Sequence, residues 1–476
     1  MAKRRAADRW AEEMFGAAEF GDARLSQRLV RVAADLAGQV GASPGRAAGD
    51  DDGAAEAAYR FVRNARAKPS AIARSGFAAT THRSASIETL LCIEDTTTLS
   101  YTHEVASGLG DLGGPEGSDS LGLFAHSALL VDARTGATVG LVGQDYWMRD
   151  PAERGKKHQR KKRAYDDKES FKWQRMSERV RAQLGDDISR RTISVCDREA
   201  DIFEYLAFKT AAQERFIVRA SWDRNVEVDC EDEAGQVLDK HLFAVVARGR
   251  AIGQSVVQVP QRGGRAARTA ALTVRAQRVR LQRPQRARIG SLPKRVAVHA
   301  VLAREEAPPP GVEPLEWLLF TSEPISTSQE VIEVLRRYRL RWRIEEFHKA
   351  WKSGAGVERR RMRTALNIER IAVILAFVAV RLLQLRERHH EDPDGSCAEL
   401  LTAVEWKVLW VSIEKTKPPR KPPTTAWAYR AIARLGGWHD TKRTGRVGWD
   451  SYWIGWLKLQ ERVEGFEAAQ LLGGRL

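Results

Sequence analysis

Short continuous apolar runs alternate with helix-type stretches through the first half of the chain. The run from Thr89 to Glu94 predicts a buried strand, and His126 to Asp132 and Ala137 to Trp147 predict two more, joined by a turn. Further helices and strands are predicted in alternation after them. They are a helix over Asp167 to Leu184, a strand over Arg191 to Cys196, a helix over Glu199 to Lys209 and a strand over Arg215 to Ala220.

Residues 222–315 break this alternation. Their short strand-like runs are separated by turns, so we predict an all-β insertion. A last strand is predicted over Trp317 to Thr321, and a capping signal at Ser326 to Gln329 predicts a long helix that runs to Ala350. A mostly apolar helix follows over Ala365 to Arg388. The pattern therefore predicts an α/β fold in which a strand-rich segment interrupts the main alternation.

The first 67 residues are predicted to form short helices over Asp8 to Ala18, Ala23 to Ala37 and Gly53 to Arg63. Cationic and aromatic side chains recur on them at helical spacing, namely Arg24, Arg28, Arg31, Tyr59, Arg60 and Arg63. Three short helices with arginines on one side are typical of a small DNA-reading domain. An ordinary helical cap with solvated arginines is the alternative, and this pattern alone does not separate the two.

The region from about residue 389 is predicted to be a separate helical domain. A proline-rich linker over Lys415 to Thr425 divides it, and helices are predicted over Trp427 to Arg434 and Ser451 to Glu467. Seven tryptophans follow residue 405, at positions 406, 410, 427, 438, 449, 453 and 456. Aromatic residues at this density indicate either a surface for pairing two chains or a private hydrophobic core.

The net charge of the chain indicates which kind of molecule it binds. The chain has 476 residues and a formal net charge of +16, which predicts a binder of polyanions. The excess is clustered over Gly155 to Arg163, Arg262 to Arg295 and Glu358 to Arg363. No amphipathic anchor accompanies these clusters and the longest apolar run is too short to span a bilayer, so we expect nucleic acid rather than membrane. Four scattered cysteines favour a reducing cytoplasm and argue against a zinc site.

Three carboxylates stand out as candidate chemistry. Asp95 and Asp197 each follow a predicted buried strand, and the matching positions favour one shared site over two separate turn caps. Glu345 lies on a predicted helix face that also carries a phenol, an indole and several cations. That face is either a solvated charged surface or part of the same site. Three hard carboxylates bind Mg²⁺ well, and Mn²⁺ should substitute for it.

The element order β-β-β-α-β-α-β, with acids after the first and fourth strands, resembles a ribonuclease H-like core. The segments IEDTT and VCDREAD, together with the spacing Y-x2-R-x3-E-x6-K, resemble the DDE transposases of bacterial insertion sequences, within insertion-sequence family four. The resemblance implies a helical end-binding domain over 1–67, a ribonuclease H-like catalytic domain over 68–388 with its β insertion at about 222–315, and a helical dimerisation domain over 389–476.

The resemblance also assigns roles to residues. It implies that Asp95, Asp197 and Glu345 are the catalytic, metal-binding triad. It implies contacts with double-stranded DNA, both transposon ends and target, from Arg28, Arg60, Arg219, Trp317, Tyr338, Arg341, Trp342, Lys352, Arg361 and Asn367. Trp317 matches a residue that stacks on a flipped base, and Trp342 matches one that fills the gap the base leaves. The implied enzyme is a cytoplasmic bacterial protein, associated with the nucleoid when bound to DNA, and it acts as a homodimer in the complex that pairs two ends.

The family's reaction proceeds through a hairpin. A water cuts one strand, the freed 3′-hydroxyl attacks the opposite strand to form the hairpin, a second water opens it, and the 3′ ends join target DNA. Two other interpretations stay open from the residues alone. One is a DNA-binding repressor or a defective transposase, and the other is a ribonuclease H-like nuclease or junction resolvase. The basic loop with Lys156, Lys157 and Arg160 is expected to grip DNA outside the transposon end, or to be a solvated loop.

Overall fold

The computed structural model describes residues 2–49, 51–113, 120–150, 163–227, 240–259, 267–285, 292–441 and 447–471. Eleven strands lie in these ranges. They are β1 Leu90–Ser100, β2 Gly110–Asp111, β3 Leu121–Asp132, β4 Thr138–Trp147, β5 Thr192–Cys196, β6 Arg215–Arg219, β7 Val226–Glu227, β8 Ala251–Val259, β9 Arg268–Gln282, β10 Arg295–Glu305 and β11 Glu316–Thr321.

Helices cover both ends of the chain and both sides of the sheet. They are α1 Ala2–Phe15, α2 Ala23–Gly38, α3 Pro44–Ala47, α4 Asp52–Arg63, α5 Pro69–Ser84, α6 Lys172–Arg190, α7 Phe203–Ala211, α8 Leu242–Arg248, α9 Ser328–Arg339, α10 Trp342–Lys349, α11 Ala365–Glu391, α12 Ala403–Glu414, α13 Thr425–Leu435 and α14 Trp449–Leu471. Short 3₁₀ turns include Glu104–Gly108, Glu169–Phe171 and Arg198–Ala200, and a π turn spans Ala350–Gly354.

The strands form one mixed sheet in the order β2-β3-β1-β5-β6-β11-β10-β9-β7, with β4 on β3 and β8 on β9. β1, β5 and β6 are parallel neighbours, whereas the other pairings are antiparallel. The predicted α/β class with helical ends is confirmed, and the mixed sheet is consistent with a ribonuclease H-like fold. The parallel centre brings the carboxyl ends of β1 and β5 to the same edge of the sheet.

Two predicted elements differ in ways that affect the site. The first strand was predicted to end before Asp95, but β1 continues to Ser100 because β3 pairs with it along its whole length. Only the parallel pairing with β5 ends early, at Ile93 and Val195. The predicted long helix to Ala350 is also wrong, since it is broken between α9 and α10. Leu340 and Arg341 there donate to carbonyls three residues back, and Leu340 packs against the core.

The segment predicted as an all-β insertion contains helix α8, over Leu242–Arg248, so it is not all-β. Its strands β8, β9 and β10 extend the central sheet, because β10 pairs with β11. Leu242, Val245 and Val246 of α8 are buried in an apolar cluster with residues of β9 and β10. Tertiary burial therefore selects a helix in a segment whose flanking runs indicate strands.

The helical N-terminal segment packs onto helix α11. One apolar cluster joins residues of α1, α2 and α4 with α11, and Phe15 meets Phe377 edge to face with ring centroids 5.5 Å apart. Arg370 of α11 donates to the carbonyls of Val62 and Ala67. The predicted boundary near residue 67 thus falls between elements that share a core, and α5, which the sequence pattern did not predict, lies directly after it.

The C-terminal region has its own apolar cluster, formed by α12, α13 and α14. Five of its seven tryptophans are buried, at positions 406, 438, 449, 453 and 456. Trp406 and Trp456 belong to this cluster, in agreement with the private-core interpretation. Trp449 and Trp453 belong to the large central cluster instead, which attaches α14 to the rest of the chain.

No helix within the described ranges is long and apolar enough to cross a membrane.

Candidate active site

Three elements bring the three predicted acids, Asp95, Asp197 and Glu345, to one edge of the sheet, which we call the acidic edge. Asp95 lies on β1 just beyond the point where its parallel pairing with β5 ends. Asp197 follows β5 directly and caps the turn Arg198–Ala200, where its carboxylate accepts the N–H of Glu199 at 2.8 Å. Glu345 lies in the first turn of α10. The break before α10 thus places this carboxylate at a helix N-terminus, which favours negative charge.

Arg341 links the acids. Its Nη2 donates to Glu345 Oε1 at 2.5 Å, and its Nη1 lies 3.9 Å from Asp95 Oδ2. Burial alone would lower the pKa of Arg341, but Tyr338, Glu345 and Asp95 raise it overall. This guanidinium is therefore charged, and it contacts both Asp95 and Glu345. Arg341 thus lies between Asp95 of β1 and Glu345 of α10, two acids that are far apart in the sequence.

The protein balances the negative charge of Asp95 and Asp197 only in part. Burial raises the pKa of Asp95 to about 7, with the negative charge of Asp197 as the second cause, and the Thr96 N–H and Arg341 offset this only in part. Burial likewise raises the pKa of Asp197, against a lowering by the N–H of Glu199. Carboxyl groups crowded at low dielectric repel one another unless a cation lies between them. The electrostatics therefore favour a bound cation at this edge.

The donor chemistry fits a hard divalent ion, since all three acids offer oxygen. Among the residues that the structure describes, however, no three acidic, histidine or cysteine side chains are gathered closely enough to form a closed metal cage. In this structure the Glu345 carboxylate contacts the Arg341 guanidinium. Asp95, Asp197 and Glu345 are the residues that would hold the ion.

His348 is a site residue that sequence reasoning missed. It lies one turn after Glu345 on α10, is buried, and has Nδ1 4.0 Å from Asp95 Oδ2. Burial, followed by the positive charge of Lys352, lowers the pKa of His348 to about 3. The imidazole is therefore neutral at physiological pH, and its proximity to Asp95 is not an ion pair. Its spacing of three from Glu345 was a signal in the sequence that placed it on the same face.

A row of polar side chains, Thr96 and Glu94 of β1 and His126 of β3, lies behind Asp95. The N–H of Thr96 donates to Asp95 Oδ1 at 2.8 Å, and the Thr96 hydroxyl lies 3.0 Å from His126 Nδ1. His126 Nε2 in turn lies 3.4 Å from Glu94 Oε2, and both side chains are fully buried. The cross-strand pairing of Thr96 with His126 in β1 and β3 fixes this arrangement. Glu94 points away from the acids, because successive strand side chains alternate between faces.

Aromatic side chains border the acidic edge. Trp317 of β11 meets Tyr338 of α9 edge to face, with ring centroids 6.1 Å apart. Trp342 is 56% exposed, and the guanidinium carbon of Arg341 lies 5.4 Å from its ring centroid. Burial raises the pKa of Tyr338, against a lowering by Arg219 and Arg341. An exposed indole at the start of α10 is unusual for a packing residue and is available to a ligand.

Arg219 ends β6 beside Asp197. Val218 pairs with Cys196 in the parallel register, so the next residues along the two strands lie side by side. Arg219 Nη2 donates to the carbonyl of Glu316 at 3.0 Å, and burial lowers the pKa of Arg219, with Tyr338 raising it and Arg198 adding to the lowering. A half-buried cation next to other cations at this edge is suited to a phosphate.

The remaining predicted DNA contacts differ in exposure. Lys352 is half-buried, with Nζ 3.8 Å from Glu358 Oε1. Arg361 is exposed and lines an open groove of about 1000 Å³ with His103, Ser107 and Arg363. Asn367 is only 8% exposed and accepts a hydrogen bond from Arg370 at 2.8 Å. Asn367 is therefore buried near the start of α11, and its contact with DNA stays a prediction.

The N-terminal arginines lie outside the acidic edge. Arg28 is half-buried on α2, whereas Arg60 is exposed on α4 and donates to Glu56 Oε1 at 3.2 Å. Exposed pairs of this kind contribute little to stability, so Arg60 can exchange its partner for a phosphate at small cost. The basic loop over 156–162, predicted to grip DNA backbone, lies outside the described residues.

Two family models match the chain. Residues 7–67 match the model described as transposase DNA-binding, and residues 156–381 match the model described as transposase DDE domain. These matches define an enzyme that binds DNA and cleaves it with a divalent metal ion. The chain is a DDE transposase. The DDE match includes Asp197 and Glu345, whereas Asp95 precedes it, and the structure brings Asp95 to the same edge through β1.

Proposed function

We propose that this DDE transposase is a cut-and-paste enzyme of insertion-sequence family four, related to the transposase of transposon Tn-five. It binds transposon end repeats, cleaves them by hydrolysis and a hairpin intermediate, and joins the 3′ ends to target DNA in a bacterial cytoplasm. The observation that carries the proposal is the convergence of Asp95 and Glu345 on Arg341 at the sheet edge where Asp197 also ends its strand. Trp317 and Tyr338 border that edge.

In this proposal Asp95, Asp197 and Glu345 hold Mg²⁺, for which Mn²⁺ can substitute. The ion, when bound, supplies a Lewis acid and a source of activated water. Arg341, freed from Glu345, binds a phosphate oxygen of the strand being cut. The neutral imidazole of His348 adds no positive charge beside Asp95, which leaves the acids available to a cation.

The aromatic border supports the hairpin step. A hairpin requires a base near the cut to leave the helical stack, and an aromatic ring can hold it. Trp317 is half-buried and fixed by Tyr338, which suits a stacking platform, while Trp342 is exposed enough to enter the gap. Arg219, Lys352 and Arg361 would bind the backbone on either side, and Arg28 and Arg60 would contact the end repeat.

The enzyme is proposed to act as a homodimer that pairs two ends through residues 389–476. Because most tryptophans of this region are buried, we expect the pairing surface to use other residues. Val411 on α12 and Ile454 and Phe466 on α14 are 49%, 44% and 43% exposed, and they are the large apolar side chains available there among the described residues. They are the first positions to substitute in a test of pairing.

The test is incubation of the protein with DNA that carries its own flanking inverted repeats, with and without Mg²⁺. We expect nicking at the repeat boundary, then hairpin-ended products on a denaturing gel, and no products without metal. Binding of the repeats without any cleavage would indicate a repressor or an inactive copy. Cleavage of any branched or linear DNA without dependence on the repeats would indicate a nuclease or resolvase.

A further inference from the structure

Trp222 is the most exposed large hydrophobic side chain in the part of the chain that the structure describes, at 64%. It lies three residues beyond the end of β6. It belongs neither to the three acids nor to the two tryptophans, Trp317 and Trp342, that border the acidic edge. Tryptophan side chains are rarely left open to water on a soluble protein, because their large apolar area favours burial. An exposed indole therefore calls for a binding partner.

The backbone that carries Trp222 is held firmly. The buried carboxylate of Asp201 accepts the N–H of Ser221 at 2.7 Å and the N–H of Trp222 at 2.9 Å through Oδ2. Its Oδ1 accepts Nε of Arg224 at 3.0 Å, and Arg224 also donates to the Asp201 carbonyl at 2.7 Å. The exposure of the indole is therefore not the result of a frayed loop. The fold holds the backbone of Trp222 in place and leaves its side chain free.

The same residues attach Trp222 to the acidic edge. Asp197 begins the turn Arg198–Ala200 and Asp201 ends it, so three residues separate the predicted metal ligand from the carboxylate that holds Trp222. On the other side, the N–H of Ala220 donates to the carbonyl of Leu318 at 2.8 Å, which continues the pairing of β6 with β11. Ser221 therefore lies beside Trp317, and Trp222 is the next residue outward.

Two arginines lie near the end of β6, from which Trp222 follows. Arg198 is exposed, Arg219 ends β6, and Arg198 is close enough to contribute to lowering the pKa of Arg219 after burial has done so. Like charges at this spacing are relieved by a bound anion, and the anion that a DNA-cleaving enzyme brings to its active edge is a backbone phosphate. Nucleic-acid channels combine such cations with aromatic rings on which bases stack.

We propose that Trp222 stacks on an unstacked base of the DNA strand held at the acidic edge, next to the phosphate to be cut, and so positions that strand. The inference rests on the proposed function and adds a third indole to the two assigned by resemblance. In an intact duplex both faces of a base are covered by its neighbours. The partner is therefore a base exposed by nicking, bending or flipping at the end of the transposon.

The test uses 2-aminopurine, whose fluorescence falls on stacking, placed singly at each of the last three nucleotides of the end and the first three of the flank. DNA nicked at the boundary is bound by the full-length protein at saturating concentration, without divalent metal. We expect at least one probe position whose quenching is lost in Trp222→Ala and largely kept in Trp222→Phe. The affinity of Trp222→Ala for nicked DNA should fall about 5- to 150-fold, the range for one base–aromatic stack.

Val256→Ala is the matched control. Val256 is 58% exposed on β8, which lies beyond β11, β10 and β9 in the sheet, so its truncation should change neither quenching nor affinity. Thermal unfolding of Trp222→Ala should match that of the wild type, because the bonds to Asp201 come from the backbone. Binding measured by fluorescence anisotropy shows separately whether each protein holds the DNA.

The outcomes separate this inference from the proposed function. If the wild type fails to bind its own end DNA, the proposed function fails and the inference fails with it. If the wild type binds and Trp222→Ala shows the same quenching at every position, Trp222 does not stack on a base and the inference alone is wrong. Loss of self-association in Trp222→Ala with quenching unchanged would assign the indole to a contact between two copies of the chain.

Discussion

Glu345 and Glu346 are adjacent on α10 and have opposite surroundings. Glu346 faces a cluster of ion pairs behind the helix, in which Arg343 donates to it at 2.8 Å and Arg386 at 3.1 Å. Burial alone would raise the pKa of Glu346, but Arg386 and Arg343 lower it overall. Glu345 faces the acidic edge, where Arg341 is the neighbouring cation for Glu345 and Asp95 together.

The ion pairs around Glu346 stabilise the fold, whereas the acids around Glu345 are available to bind a ligand. In the cluster behind α10, Arg343 also lies 3.3 Å from Glu387, whose carboxylate accepts both the N–H and the hydroxyl of Thr138. Each buried charge there has a partner. At the acidic edge, burial and the charge of Asp197 raise the pKa of Asp95 to about 7. An enzyme keeps such an uncompensated group where a ligand will compensate it.

The largest expected effect is loss of cleavage. Asp95→Ala, Asp197→Ala and Glu345→Ala should each reduce the rate of nicking of end DNA by about 10⁴-fold or more, because each removes a proposed metal ligand from a site that acts as a unit. End binding, measured by gel shift without metal, should stay nearly intact. Near-normal nicking by any one variant would remove that residue from the metal site.

Glu346→Ala should act on stability instead. It leaves the half-buried Arg343 and Arg386 without their shared carboxylate, although Arg343 keeps Glu387 as a partner, so we expect a loss of about 1–3 kcal/mol. Urea unfolding should show this loss, while Glu345→Ala should unfold nearly as the wild type does. Glu346→Gln, which keeps a hydrogen-bond acceptor, should fall between them. The contrast between the two glutamates would be lost if Glu345→Ala proved as destabilising as Glu346→Ala.

Asp95→Asn should stabilise the metal-free protein at high pH. Folding raises the pKa of Asp95 from 3.8 to about 7, so its ionisation is less favourable in the folded state, and stability present below pH 4 is lost as the pH rises through 7. We expect a gain on the order of 2–4 kcal/mol at pH 8 that shrinks toward pH 4. Chemical unfolding across this range, without divalent metal, measures it.

The control for this prediction is Asp187→Asn, since the Asp187 side chain is 92% exposed and should show no such pH dependence. Adding Mg²⁺ should stabilise the wild type and have little effect on Asp95→Asn. An Asp95→Asn protein that is less stable than the wild type at pH 8 would mean that Asp95 is already compensated by a group of the protein.

The smallest expected effect concerns the aromatic border. Trp317→Ala should permit the first nick but slow hairpin formation, because stacking on an extruded base is worth about 1–3 kcal/mol. Time courses on denaturing gels resolve the two steps. Trp410→Ala is the control, because it removes an indole from the C-terminal region. The ring centroids of Trp410 and Trp427 lie 5.0 Å apart there, and the variant should change neither step. Equal slowing of both steps by Trp317→Ala would make the residue structural.

Much of the site could be predicted from the sequence because its signals are local. Buried strands are short continuous apolar runs, so the two aspartates that follow them could be placed at one edge once the strands were taken as parallel neighbours. The turn between β3 and β4 was equally clear, since Asp132 Oδ1 accepts the N–H of Arg134 and Gly136 has φ of 75°. Such turn chemistry depends on adjacent residues alone.

What could not be predicted depends on contacts between distant segments. No glycine or proline marks the break at Leu340, and the side chain of Leu340 packs on a core built from distant segments. The extension of β1 through Asp95 comes from pairing with β3, and α8 comes from burial against β9 and β10. The exposure of Trp222 has the same origin, because it depends on the carboxylate of Asp201, twenty-one residues earlier in the chain.

The most direct test of the account is to map the metal site with iron. Fe²⁺ bound in place of Mg²⁺, with ascorbate and peroxide, generates radicals that cut the backbone beside its ligands. The account predicts three cuts, near Asp95, Asp197 and Glu345, that excess Mg²⁺ suppresses and that Asp95→Asn weakens together. Cuts confined to one of these segments, or clustered elsewhere in the chain, would contradict a single metal site built from the three acids.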